Sequence, residues 1–182
     1  MEGTPSALLA NWSNFYVAIG SSAAALTGLM FVVITLVNRT EQSQRSSDGI
    51  ATFSTPTVLH FCAALFFSAV LNAPWHLLLD PALIIGLTAL YGVIYVLGVM
   101  RRTKRLTAYT PDTEDWIWYT VVPLVAYSII LAGAVVLPIA PVRALFVLAG
   151  GVVLLIFLGI RNSWDVVTFI ATGGPDASQP KE

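Results

Sequence analysis

The sequence predicts an all-α fold, namely an integral membrane bundle of five transmembrane helices with the N-terminus outside and the C-terminus in the cytoplasm. Composition indicates the class, because 57% of the 182 residues are hydrophobic and only 10% are charged, which is too little polar surface for a soluble fold of this size. Five apolar stretches give the number of helices, and the positions of lysine and arginine give the orientation.

The apolar stretches are the first evidence. A helix needs about 20 apolar residues to cross about 30 Å of hydrocarbon. By this measure one domain over 1–170 contains spans near 14–37, 55–71, 82–100, 116–137 and 144–160. Thr55 before Pro56 is typical of a capping residue followed by proline in the first helical turn, and predicts the start of the second span. Thr110-Pro111-Asp112 predicts a helix start before the fourth span in the same way.

The segments between the spans are polar on the predicted inner side. The loops 38–50 and 101–110 lie there, whereas the outer loops are short. The segment 171–182 is rich in Gly, Pro, Asp and Ser, a composition that predicts a disordered cytoplasmic tail.

Lysine and arginine lie almost entirely on one side of these spans. The outer side holds only Arg143, and the inner side holds Arg39, Arg45, Arg101, Arg102, Lys104, Arg105, Arg161 and Lys181. Such asymmetry orients proteins in a cytoplasmic membrane. We therefore predict a multi-pass protein of the cell (inner) membrane whose copies all insert in parallel.

Tryptophan supports the same boundaries, because its ring prefers the headgroup region. No tryptophan falls in the middle of a predicted span. The predicted outer boundary carries Trp12 and Trp75, and the inner boundary carries Trp116, Trp118 and Trp164.

The first span carries a stripe of small or polar residues on one helical face. The stripe recurs every seven residues, at Asn14, Ser21, Gly28 and Thr35. It extends about 32 Å at 1.5 Å per residue. Gly28 also belongs to a ladder with Gly20 and Ala24, a spacing that lets two helices approach closely. Two interpretations stay open: the stripe packs helices together, or several copies of it line a pore.

His60 is the only ionisable residue well inside a predicted span, and an ionisable group at that depth is a functional candidate by default. A hydrogen bond to Tyr91, Tyr95, Tyr127 or Ser128 would make it a satisfied structural histidine. The alternative is gating, proton sensing or ligand contact.

Arg161 and Asp165 are four residues apart and can pair on one helix face. An arginine at a helix end can also simply extend to the headgroups. The alternative is a cytoplasm-facing polar pocket, which requires that the faces of several helices converge. The predicted inner polar cluster consists of His60, Tyr95, Arg161, Asn162 and Asp165.

The sequence lacks the motifs of several functional classes. It has no HExxH zinc pair, GxSxG elbow, Walker loop or Cys-x-x-Cys, and Cys62 is its only cysteine. His60 and His76 lie at different predicted depths, unlike the paired ligands of a haem. A net charge of -1 provides no basic face for nucleic acid. We therefore predict no catalysis, no metal and no cofactor.

Three segments of the chain resemble a group of small bacterial multi-pass membrane proteins of unassigned function. The segments are 15–32, 54–61 and 159–165, which read FYVAIGSSAAALTGLMFV, STPTVLHF and GIRNSWD. The resemblance implies a bacterial cytoplasmic membrane and carries no activity onto these residues.

Two functional hypotheses follow. In the first, a parallel homo-oligomer forms a channel or permeation pathway for ions or small solutes, with the stripe along the pore and His60 or Arg161 at its inner mouth. In the second, the chain is a membrane-embedded adaptor that regulates a larger membrane complex, with the stripe as its contact with a membrane protein partner. The first is favoured, because a full-depth stripe together with an inner cluster exceeds what helix packing requires.

Overall fold

The computed structural model describes residues 4–37, 43–103 and 116–171, and all the regular structure in these ranges is helical. A π-helical turn at Ile117–Val121 leads directly into the fifth helix. The helices are α1 (Pro5–Ala10), α2 (Ser13–Val37), α3 (Ser43–Leu71), α4 (Leu79–Thr103), α5 (Val122–Val136) and α6 (Pro141–Ala171). The all-α prediction is confirmed for these ranges.

Four helical segments are long and apolar enough to cross a membrane: Ser13–Thr35, Leu79–Arg101, Ile117–Val136 and Pro141–Asp165. The apolar part of α3, Thr57–Leu71, is shorter than the roughly 20 residues that a span requires. The described chain is therefore a helical membrane protein by the length and composition of its helices.

Side-chain contacts fix the direction of the first helices. At one end of the bundle the Ser13 hydroxyl donates a hydrogen bond to the Asn72 Oδ1 at 2.7 Å, and further along α2 Gly20 lies against Ser68. The partner number falls as the α2 number rises, so α2 and α3 are antiparallel. We call this end, where α2 begins, the Trp12 end.

The remaining helices continue the alternation. Gly133 and Gly151 lie against Leu148 and Ile130 respectively, which makes α5 and α6 antiparallel. In the same way Gly86 and Gly92 of α4 lie against Ala134 and Tyr127 of α5.

The start of α6 returns to the start of α2. The Tyr16 hydroxyl donates to the Leu145 carbonyl at 3.2 Å, and the rings of Trp12 and Phe146 are 4.6 Å apart in an edge-to-face arrangement. Successive long helices therefore point in opposite directions. We call the opposite end of the bundle the Arg161 end.

The helices pack in the order α2, α3, α6, α5, α4. More than half of the apolar segment of α6 is buried (56%), compared with 17% for α2 and 22% for α4. The line Leu148, Leu155 and Leu158 of α6 is fully buried. Helix α6 is thus the centre of the bundle, and α2 and α4 are its two edges.

Several predicted helix ends are wrong. Helix α3 begins at Ser43, not at Thr55–Pro56, and its first turns occupy part of the predicted loop 38–50. An internal proline removes one backbone hydrogen bond, and water or a neighbouring group can satisfy the freed carbonyl in a membrane helix. The start predicted at Thr110-Pro111-Asp112 and the tail from residue 172 lie outside the described residues.

The helices also extend past the apolar stretches at the other ends. Helix α4 covers 79–103 rather than 82–100, α6 covers 141–171 rather than 144–160, and the short helix α1 was not predicted. An apolar stretch marks the hydrocarbon layer, whereas a helix continues into the polar region wherever its backbone bonds are satisfied. Asp80 in the first turn of α4 is favoured there by the helix dipole.

The π turn before α5 has a local cause. Pro123 has no N–H to donate to the carbonyl four residues earlier, and its ring crowds that carbonyl. The preceding turn is correspondingly wider, with the Val122 N–H bonded to the Ile117 carbonyl five residues back. This turn holds Trp118 and Thr120 at the Arg161 end of the bundle.

The close approach of α3 and α6 predicts the effect of one methyl group. A Cβ at Gly159 would lie within 3 Å of three ring atoms of Phe61, whereas nothing lies within 4 Å of a Cβ at Gly150 on the same helix. We expect Gly159→Ala to lower the free energy of unfolding by about 1–3 kcal/mol through overpacking. Gly150→Ala should leave it unchanged or raise it by up to about 1 kcal/mol, because alanine favours the helix.

These two variants can be compared by reversible unfolding in mixed micelles, followed by far-UV circular dichroism. Equal stabilities for Gly159→Ala and Gly150→Ala would contradict the packing described here.

Candidate functional site

The predicted stripe of α2 lies on the open side of the bundle. Asn14, Ser21, Gly28 and Thr35 are all exposed. A Cβ at Gly28 would have no neighbour within 4 Å. The side of α2 that packs against the rest of the chain is a different line, on which Tyr16, Gly20, Ala23 and Met30 are buried. Nothing in the described chain covers the stripe.

The small-residue ladder divides between these two sides. Gly20 faces α3, where a Cβ would lie 3.1 Å from the Ser68 Cβ, while Ala24 and Gly28 are exposed. The small residues of α2 therefore lie on two sides of the helix. Gly20 allows the close approach of α3, and Ala24 and Gly28 lie on the open side.

The hydroxyl groups of the open face differ in their partners. Ser22 and Thr35 donate to the carbonyls of Ala18 and Phe31 on their own helix, each at 2.8 Å, and such bonds lower the cost of facing lipid. Asn14 and Ser21 make no hydrogen bond with any described residue. Both side chains are exposed on the open face.

His60 is buried between helices and has a partner. It is 2% exposed, and its Nδ1 lies 3.1 Å from the Tyr127 hydroxyl oxygen. Tyr127 is 1% exposed, and its ring fits against α4 because Gly92 has no side chain there. Of the partners proposed from the sequence, Tyr91 and Ser128 are exposed.

The contact between His60 and Tyr127 joins α3 to α5. Tyr95 is half-buried on α4, one turn from Gly92, against which the Tyr127 ring packs. The His60–Tyr127 pair has the geometry expected of a buried histidine whose ring nitrogen has a hydrogen-bond partner. Since His60 points toward α5, it does not reach the open face of α2.

Arg161 and Asp165 form an ion pair on α6. Their side chains are 32% and 33% exposed, and the Arg161 Cζ lies 5.5 Å from the centre of a Trp118 ring, within cation–π range. An ion pair that is one third exposed contributes little to stability. The ion pair and the Trp118 ring together form a partly exposed polar group at the Arg161 end.

Asn162 follows Arg161 in sequence but lies on the core side of α6. It is fully buried, and neither its Nδ2 nor its Oδ1 has a hydrogen-bond partner. The five residues of the predicted inner polar cluster therefore occupy three environments. One is the buried His60–Tyr127 contact with Tyr95 nearby, another is the Arg161–Asp165 boundary pair, and the third is the buried amide of Asn162.

Two buried polar residues at this end were missed from the sequence, namely Thr57 and Thr120, at 0% and 6% exposure. Trp118 was expected at the inner boundary, but its contact with Arg161 was not. No periodic signal distinguishes a buried threonine from a lipid-facing one that bonds to its own helix. Pro123 was the available signal for the irregular turn that holds Thr120.

The described residues show no group of three or more His, Cys, Asp or Glu side chains that could hold a metal ion. Cys62 is exposed. His76 is exposed near the Trp12 end, at the opposite end of α3 from His60.

What the fold and the site define is a class, an all-helical membrane protein with a small and polar open face on one edge helix. Comparison of the chain with protein-family models, with characterised proteins and with solved structures found no match.

The buried histidine contact predicts a measurable coupling. Tyr127→Phe removes one hydrogen bond and leaves His60 Nδ1 without its partner. We expect the free energy of unfolding to fall by about 1–3 kcal/mol. Tyr91→Phe, which removes a hydroxyl from an exposed ring of α4, is the matched control and should have no effect.

A double-mutant cycle with His60→Leu separates this hydrogen bond from general packing. The loss caused by Tyr127→Phe should be smaller in the His60→Leu background. Full additivity of the two substitutions would show that the contact contributes no stability.

Proposed function

We propose that this chain is a five-span protein of a bacterial inner membrane, with its N-terminus outside, and that it forms a parallel homo-oligomer. In this assembly, copies of α2 surround a permeation pathway for ions or small solutes. The observation that carries the proposal is the contrast between the outward faces of the two edge helices.

The outward face of α4 is bulky and mainly apolar. Its exposed residues include Leu83, Leu87, Leu90 and Ile94, with the ring of Tyr91 among them, a surface that suits contact with lipid. The outward face of α2 contains Asn14 and Ser21, with Ala24, Ala25 and Gly28 beside or between them. An edge helix that served only to face lipid would gain nothing from these small and polar residues.

Bulky side chains border the stripe on α2. Leu29, Phe31 and Val32 are each more than half exposed and flank the stripe between Gly28 and Thr35. The polar stripe is therefore narrow, and a lipid-like or protein-like surface continues on each side. Such a helix can direct its flanks to neighbouring subunits and its stripe to a water-filled axis.

The packing of α3 supports the proposed number of spans. It runs antiparallel to α2 and lies between α2 and α6, both of which contain candidate spans. Its 29 residues give a helix of roughly 43 Å at 1.5 Å per residue, which exceeds the hydrocarbon thickness. The eight-to-one distribution of basic residues supports an inner location for the Arg161 end.

One copy provides only one wall of a pathway. The stripe is a single line along α2, and the next helix in the packing order, α3, lies on its opposite side. A closed pathway therefore needs several copies about an axis, and the charge asymmetry makes them parallel.

The alternative is an adaptor within a larger membrane complex. It is favoured by the open space at Gly28 and by exposed Ala24 and Ala25, because small residues let a partner helix approach closely where no hydrophobic effect operates. The adaptor function would use the same open face of α2, with a helix of a partner protein packed on it in place of a water-filled pathway.

Cross-linking tests which surface meets another copy. In a Cys62→Ser background, we expect Ser21→Cys to give covalent dimers with a short bismaleimide in native membranes, because the stripes of parallel copies lie at the same depth. Leu87→Cys on the outward face of α4 is the control and should remain monomeric. Dimers from Leu87→Cys but not from Ser21→Cys would contradict the proposed axis.

Flux through proteoliposomes tests the pathway itself. We expect the wild-type chain to conduct potassium or glycerol, and Ser21→Leu and Gly28→Leu to reduce that flux to the level of empty liposomes by filling the pathway. Val32→Leu on the flank of α2 is the matched control and should retain flux. Native mass spectrometry from membrane-derived nanodiscs must show the same number of subunits in all variants.

If the wild-type chain is monomeric and passes neither probe, the pathway proposal fails. A co-purifying membrane protein that is lost on Gly28→Leu would then support the adaptor.

A further inference from the structure

We infer that Asn162 anchors a buried binding site, between α3, α6 and the π turn, for a small neutral guest that both donates and accepts hydrogen bonds. Water is the smallest such guest. The inference depends on packing within a single chain, so it stands or fails separately from the proposed pathway.

Asn162 is part of the core of α6. It continues the buried line of Leu155 and Leu158, one turn beyond Gly159, where the Phe61 ring of α3 packs. Its exposure is 0%, yet both polar atoms of its amide lack a partner among the described residues.

Two other buried polar residues lie at the same level of the bundle. Because α3 and α6 are antiparallel and Phe61 meets Gly159, one turn toward the Arg161 end leads to Thr57 on α3 and Asn162 on α6. Thr57 is 0% exposed. The register therefore places a threonine hydroxyl and the asparagine amide at the same depth of one interface.

The third side of the site is the π turn. Ile130 of α5 meets Gly151 of α6, and eleven residues further along each antiparallel helix lead to Tyr119 and Asn162. Thr120, the next residue, is 6% exposed, and the π turn contacts α6 directly. Three helical segments thus bring buried polar side chains to one level.

An empty site would be costly. A buried donor or acceptor without a partner destabilises the fold by about 1–3 kcal/mol, and Asn162 has an unpaired donor and an unpaired acceptor. The amide geometry also selects the guest. A cation would satisfy only Oδ1 and an anion only Nδ2, whereas a neutral molecule with a donor and an acceptor satisfies both.

The nearby charges agree with a neutral guest. Arg161 lies on another face of α6 and is paired with Asp165, so no unpaired charge there needs a counter-ion in the site. His60 is already bonded to Tyr127. Buried polar sites of this kind in proteins typically contain water with two to four polar partners.

The decisive experiment is solid-state NMR of the full chain in liposomes, labelled with ¹⁵N at the asparagine side chains and at the leucine backbone amides. Polarisation is transferred from water, and the Asn162 signal is identified by its loss in Asn162→Leu. We expect the buried Asn162 amide to receive polarisation from water, as exposed Asn14 does. Backbone amides of Leu155 and Leu158 serve as dry internal controls.

Thermal unfolding of Asn162→Leu decides the remaining outcomes. Asn162→Leu has a side chain of similar shape but loses the guest, so it should be less stable than the wild type. The Ser163 hydroxyl bonds to its own helix, so Ser163→Ala should have the stability of the wild type. Absence of water transfer would overturn the site as a water site even if Asn162→Leu were less stable, because leucine can destabilise a packed position by its shape alone. Absence of transfer with an equally or more stable Asn162→Leu would overturn the site.

Discussion

Two aromatic rings occupy positions where the neighbouring helix has no side chain, and the arrangement of the bundle depends on them. Phe61 of α3 packs on Gly159 of α6, and Tyr127 of α5 packs on Gly92 of α4. In lipid, helices gain little from excluding water, so association depends on van der Waals contact at close approach. A ring opposite a glycine provides a large contact area and favours one register, because a side chain at that position would overlap the ring.

The same contacts explain why the two edges of the bundle differ. Helix α6 receives α3 on one side and α5 on the other, which leaves α2 and α4 with one main neighbour each. Helix α4 directs leucine and isoleucine outward, so its free side is suited to lipid. Helix α2 directs Asn14, Ser21 and Gly28 outward. The two edges are thus different, with mainly bulky apolar residues on the free side of α4 and a line of small and polar residues on the free side of α2.

The fold was largely predictable because the solvent constrains it. In hydrocarbon a backbone must satisfy its own hydrogen bonds, so a long apolar stretch is a helix. The helix ends were less predictable, since residues such as those of 43–54 are helical without being apolar. The inward and outward faces of α4 and α6 could not be distinguished, because lipid and protein core both prefer apolar residues.

Of the candidate site, the sequence pointed to His60, Tyr127 and Asn162, but not to Thr57 or Thr120 and not to the way these residues group. The separation of Arg161 from Asn162 depends on a rotation of 100° between neighbouring residues of a helix, and its absolute direction is set by Gly159 and Phe61. The choice of Tyr127 over Tyr91 or Tyr95 as the partner of His60 depends on Gly92 in the same way. Prediction of the π turn from the sequence would require knowing that the residues directly before Pro123 are helical.

The π turn at Ile117–Val121 also affects the direction of the side chains directly before α5. A π turn contains one residue more than the α-helical path it replaces, so the described residues at its start are rotated by about 100° relative to a regular helix continued back from α5. In this turn Trp118 reaches Arg161 and Thr120 is buried. A natural homologue with one residue fewer and no proline here would keep the core of α5 intact. In such a homologue the turn before α5 would direct other side chains toward α6. Adding or removing one residue here would therefore change which side chains of this turn face α6.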